Sequence, residues 1–168
     1  MGRISSVTLT NAIQKIGMMN SFEKALLIDE IHRVQPFMLA SCLVVKRLGA
    51  SIEKIELLFD ILLICYQSMQ ESGLEWPLIT EKHQGRFLLE FAATLSLGKG
   101  LTASLARDSF DQYARAHPEY ELLSFVNLDT SKWISQEKFV KSDRYILMAA
   151  FNLVNCIAYV KMPVNDRS

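Results

Sequence analysis

"SIEKIELLFDILLICYQSMQ", Ser51 to Gln70, is the stretch whose reading decides the fold. Ile52, Ile55, Phe59, Leu62, Tyr66 and Met69 recur at spacings of three and four, which marks one face of an α-helix; a strand would alternate every second residue. Glu53, Glu56, Asp60 and Gln67 form a narrow polar stripe opposite that seam. Between the two, "ILLICY" is apolar on nearly every side, and a helix carries such a segment only where neighbours enclose it. A long enclosed helix predicts other helices packed around it.

Those neighbours are marked by their start and stop signals. Ser21 precedes "FEKALLIDEIHRV", Pro36 stands where a first-turn proline is tolerated, and Gly49 follows "VVKRL" as a stop. Ser51 caps the decisive helix, which runs towards Gly73. Thr80 caps "EKHQGRFLLEFAATLSL", ended by Gly98 and Gly100, and Thr102 caps "ASLARDSFDQYARAH". In that last segment Ala103, Ala106, Phe110, Tyr113 and His117 make the buried seam, while Arg107, Asp111 and Arg115 lie on the wet side. Pro118 opens a short helix, "PEYELLSFV"; the polar stretch 127–142 reads as a connector, and "DRYILMAAFNLVNCIAYVKM" is the last helix. A weaker helix is expected near Thr8 to Met19. Strands find little support, since β-branched alternation and Asn-Gly or Asp-Gly turns are missing.

The expected fold is therefore all-α, an irregular helical bundle or stacked helical hairpins with seven to eight helices. At 168 residues it is expected to be a single domain over 1–168, with flexible ends at about 1–6 and 163–168. Three stretches, "PFMLASCLVV", "RFLLEFAATL" and "RYILMAAFNL", each start with an aromatic and two large apolar residues and then turn to small ones. They read either as a decayed hairpin repeat or, more plainly, as core helices whose small residues permit close approach. On that pattern Phe37 and Phe87 belong on equivalent inner faces.

Eighteen basic residues balance eighteen acidic ones, and phosphate-backbone binding usually needs a basic excess. The basic, aromatic stretch around Lys132, Trp133, Lys138, Phe139 and Lys141 is offset by Asp129, Glu137 and Asp143, so nucleic-acid binding is not expected. Charged residues and asparagines interrupt every apolar stretch before the length of a membrane span, and none is expected. The opening "MGRISSVTLT" has no long apolar run, so no secretory leader is expected. Cys42, Cys65 and Cys156 are far apart among apolar neighbours, as inert, unpaired core thiols are, which favours a reducing, cytoplasmic setting.

Catalytic signatures are missing: there is no G-x-S-x-G elbow, no phosphate loop and no cysteine among activating groups. Bundle di-metal sites need a carboxylate-x-x-His pair on each of two helices. Asp29 and His32 supply one, but a second is lacking, so a mixed site of Asp29, His32, His83 and Glu90 is the nearest candidate and no cofactor is expected. What remains is surface for partners. Trp76 and Trp133 sit in apparent connectors, where tryptophan either folds back over the core or anchors an interface. Asn152 and Asn155 lie three apart on an otherwise apolar rod. They need partners, either internal ones or those of a symmetric interface between copies. The function expected is non-enzymatic protein–protein interaction in the cytosol, as a regulator, adaptor or neutralising partner, with a homodimer favoured. The alternatives are an enzyme or a small-ligand or metal binder with a pocket between helices, and a weak nucleic-acid-binding regulator.

Overall fold

A computed structural model of the chain describes residues 2–97, 103–136 and 140–163. Among these residues there are eight helices and no strand: α1 (Ser6–Met18), α2 (Ser21–Val34), α3 (Pro36–Arg47), α4 (Ile52–Glu71), α5 (Glu81–Leu97), α6 (Ala103–Ala116), α7 (Tyr120–Gln136) and α8 (Asp143–Tyr159). The expected Gly98 and Gly100 stop, the Thr102 cap and the tail 164–168 lie outside the described residues.

Two helices form the centre. In α4 every residue from Ile61 to Met69 is buried, and in α8 every residue from Ala150 to Ala158. The two pack on each other; α1, α2 and α3 cover α4, while α3, α5 and α7 cover α8, and α6 lies on α7. Enclosure on all sides is what the all-round apolar "ILLICY" segment requires. The seam read from the sequence holds for Ile55, Leu62, Tyr66 and Met69. Ile52, at the first turn, is exposed instead, and Gln67 is buried beside the core rather than on a wet stripe.

The helix ends are built as their sequences dictate. Asn20 caps α2 in a reciprocal box with Glu23, one residue ahead of the expected Ser21. Thr80 Oγ1 accepts from the His83 N–H, and His83 Nδ1 accepts from the Thr80 N–H, so α5 starts with a histidine in the returning role. Gly49 and Gly73 take positive φ, +91° and +70°, where a side chain would be strained.

Two expectations need correction. The stretch after Val126 is not a connector: α7 continues to Gln136, because Val126, Thr130 and Trp133 extend its inner face at spacings of four and three. Thr130 is buried there with its hydroxyl donated to the Val126 carbonyl, so a polar residue occupies a core position. The first residues are not loose from position 3 onward. The Glu119 carboxylate accepts from the backbone N–H groups of Arg3 and Ile4, and the Arg3 guanidinium donates to the carbonyls of Ile157 and Val160. Ile4 is correspondingly buried.

A buried ion pair joins the centre to its cover. Lys54 Nζ meets Asp143 Oδ1 at 2.6 Å, and Trp133 lies beneath the ammonium with its ring centroid 5.3 Å away. The second Asp143 oxygen accepts from the Val140 N–H, so both oxygens of the buried carboxylate are satisfied. Cys42, Cys65 and Cys156 are buried and unpaired, and burial pushes the thiols of Cys42 and Cys156 up to about 12. At neutral pH these are protonated core residues and poor nucleophiles.

Candidate binding groove

The polar residues inside the two central helices lead to the site. Ser68 donates its hydroxyl to the Ile64 carbonyl, and Gln67 donates to Glu71 Oε1. Asn155 Oδ1 accepts both the Tyr113 hydroxyl, at 3.1 Å, and His117 Nε2, at 3.0 Å. His117 Nδ1 in turn accepts from the Glu119 N–H, which places the ring proton on Nε2. Asn155 thus takes the internal solution, tying α8 to α6 and to the start of α7. Burial holds the His117 pKa below its usual value and raises that of Glu119 despite the neighbouring Arg3.

Asn152 is different. Its Nδ2 donates to the Gln84 backbone carbonyl at 3.1 Å, but Oδ1 has no partner. Gln84 Nε2, on the facing helix, has none either. Among the described residues these are the two fully buried side-chain polar atoms without a hydrogen bond, and both residues line the same groove. Leaving such a group unpaired costs about 1 to 3 kcal/mol, so native proteins seldom retain one without a reason.

The groove has a volume of about 820 Å³ and runs along α8 between α3 and α5, both of which pack on α8. One wall is α3, with Phe37, Leu43, Val44 and Val45, closed at its end by Arg47 and Leu48. The other is α5, with Glu81, Gln84, Gly85 and Leu88; α8 contributes Tyr145, Met148, Ala149 and Asn152. Small side chains keep it open. Ala40, Ser41, Gly85 and Ala149 all line it, and a Cβ built on Gly85 would meet no atom within 4 Å. These small residues line the space even though α3 and α5 both pack on α8. Phe37, expected on an inner face equivalent to that of Phe87, is half-buried on the groove wall, whereas Phe87 is fully packed.

The other candidates from the sequence do not meet here. Asp29 and His32 are exposed on α2; on α5, His83 serves the Thr80 cap and Glu90 pairs with Arg86 at 2.9 Å. Among the described residues no three histidines, cysteines or carboxylates gather as metal ligands would. Trp76 folds back, donating its indole N–H to the Met69 carbonyl and Ser72 Oγ, both at 3.0 Å, and Trp133 packs on Lys54 from α7. Of the sequence's interface candidates, Asn152 alone reaches the groove. Gln84 and Gly85 were missed; the signal available was an isolated glycine inside a strong helical pattern.

Chemically, the groove offers apolar walls, the hydroxyl-bearing residues Ser41 and Tyr145 and one charge of each sign, while the unpaired Gln84 Nε2 and Asn152 Oδ1 are themselves fully buried. Protein-family models matched no part of the chain, and searches of curated proteins and of solved structures likewise found no match. Among the described residues no helix is long and apolar enough to cross a membrane.

Proposed function

We propose that this chain is a non-enzymatic helical binding module and that the α3–α5–α8 groove is its working surface, taking an apolar guest. The observation that carries this reading is the coincidence of both orphaned buried amides with one apolar groove. A core with a void would be expected to fill or collapse it, and a bare surface would not hold polar atoms unpaired. Three unpaired buried thiols support a reducing compartment such as the cytoplasm.

Protein–protein contact is the second reading, and one observation favours it. Leu43, Val44 and Leu48 stand nearly half exposed on the α3 side of the groove, as hydrophobic anchors for a partner helix or a second copy would. In that case the chain sediments as a dimer or captures a protein through the same wall.

Gly85→Trp tests the groove without threatening the fold, since the position is exposed, helical and faces open space. The neutral apolar dye Nile red should brighten on binding the wild-type protein at one site. The indole should weaken that binding by about tenfold or more, the loss of one well-made apolar contact surface. Equal dye binding by both proteins would contradict the assignment.

A further inference from the structure

We propose that residues 2–4 form a clasp which His117 holds shut while neutral and releases on taking up a proton. None of the clasp's residues lines the groove; it sits where the end of α6, the start of α7 and the end of α8 meet. Glu119 Oε1 accepts from the Arg3 N–H at 2.6 Å, and Oε2 from the Ile4 N–H at 3.1 Å. The Arg3 guanidinium donates to the carbonyls of Ile157 and Val160, both at 2.8 Å, and lies 5.8 Å from the centroid of the Trp76 ring. Gly2 is seated against the same acid: a Cβ there would meet Glu119 Oε2 at 2.7 Å and the Pro118 carbonyl oxygen at 2.8 Å. One carboxylate and one guanidinium thus fasten the whole segment.

Glu119 is itself placed by His117. Its N–H donates to His117 Nδ1 at 3.1 Å, while His117 Nε2 donates to Asn155 Oδ1 at 3.0 Å. The two bonds together require the neutral ring with its proton on Nε2. A second proton, on Nδ1, sets two donors face to face and leaves the buried Glu119 N–H without an acceptor. A cationic ring beside Glu119 also competes with the Arg3 and Ile4 N–H groups for its carboxylate. The groups facing the ring are Tyr113 from α6 and Tyr159 from α8, with centroids 5.6 and 5.4 Å away, Asn155 from α8, and Glu119 with Arg3 behind it. Burial pushes the Tyr113 hydroxyl up to about 12 and raises that of Tyr159, so both stay neutral, and the guanidinium stays charged. Burial lowers the pKa of His117, so the clasp is fully shut above 6.5 and opens as the pH falls through the folded value. Burial raises the Glu119 pKa, so that group's proton favours the closed, buried state. Opening in acid is therefore the work of the histidine.

Amide hydrogen exchange, read by NMR on the full chain, tests this. Between about pH 7.5 and 4.5 the protection of the Arg3 and Ile4 amides, corrected for intrinsic rate, should fall about tenfold or more, the loss of roughly one well-made hydrogen bond. The amides of Val126 in α7 and Val154 in α8, both fully buried, should stay at least about tenfold better protected throughout, since they open only with the whole chain. His117→Asn keeps an oxygen able to accept from the N–H two residues on and has no ionisable ring, so its Arg3 and Ile4 protection should not change between the two pH values. Gly2→Ala drives a Cβ into the Pro118 carbonyl and should show the open clasp's low protection already at the higher pH. Constant protection in the wild type overturns the proposal, as does the same acid loss in His117→Asn or full protection in Gly2→Ala. Equal protection of all four amides in acid overturns it too, because the segment would then leave only when the whole chain unfolds.

Discussion

At the scale of single residues, the molecule separates polar groups that hold it together from polar groups left unpaired. Asn155, Tyr113, His117, Glu119 and Arg3 form a satisfied chain from α8 to the first residues. Gln84 and Asn152 do not. Replacing Gln84 with Met should therefore raise the stability of the free protein by about 1 kcal/mol, because it removes an unpaired donor and leaves helix propensity nearly unchanged. Urea unfolding of the variant measures this, and a loss of similar size would mean that Gln84 has a structural partner. The His117 ring gives a pH signature. Its folded pKa lies below the usual 6.5, so the folded state binds fewer protons than the unfolded one. Its contribution is fully present above pH 6.5 and is lost as the pH falls from there to the folded value. Protonation would place a hydrogen on Nδ1 against the Glu119 N–H. Glu119 acts in the opposite sense: with its pKa raised, its contribution is fully present below 4.5 and is lost as the pH rises through the folded value. Stability followed by urea from pH 7.5 down should fall first in the histidine window, and His117→Gln should flatten that limb. An unchanged slope would remove His117 from the account.

At the scale of elements, helix identity was legible and helix surroundings were not. The three-and-four spacing of Ile55, Leu62, Tyr66 and Met69 is local, so α4 could be read directly from the sequence. Thr130 disguised the second half of α7, since a threonine that donates back to the carbonyl four residues earlier passes for a loop residue. Residues 3 and 4 are held by Glu119, more than a hundred positions away, which no local pattern can show. The groove was hidden for a related reason: Ala149 and Gly85 carry the same signature whether helices close over them or stand apart. Phe37 and Phe87 make the contrast measurable. Phe87 packs against His83 and Tyr159, with ring centroids 6.3 and 6.0 Å away, and Phe87→Ala should cost about 3 to 5 kcal/mol. Phe37→Ala, on the groove wall, should cost roughly half as much or less, since its ring is already part-exposed. Equal losses in thermal or urea unfolding would put Phe37 back in the core and close the groove.

At the scale of the whole molecule, two enclosed helices, α4 and α8, act as a double axle. Five helices cover them directly and α6 packs on α7. The cover is tight where the buried Lys54–Asp143 pair and the Gln35 side chain fasten it. Gln35 donates to the Pro77 carbonyl and accepts from the Ile79 N–H, fixing the chain just ahead of α5. Thus α5 is anchored at its start by the Thr80 cap and along its length by α8, while its Gly85 turn faces open space opposite α3. The most direct test of the groove's role is a ¹H–¹⁵N correlation spectrum of the labelled protein titrated with 1-octanol. The expected result is saturable shifts confined to residues 37–48, 81–88 and 145–152. Shifts spread evenly over the surface, or gathered on the α6–α7 face around Phe110, Tyr120 and Leu128, would contradict it.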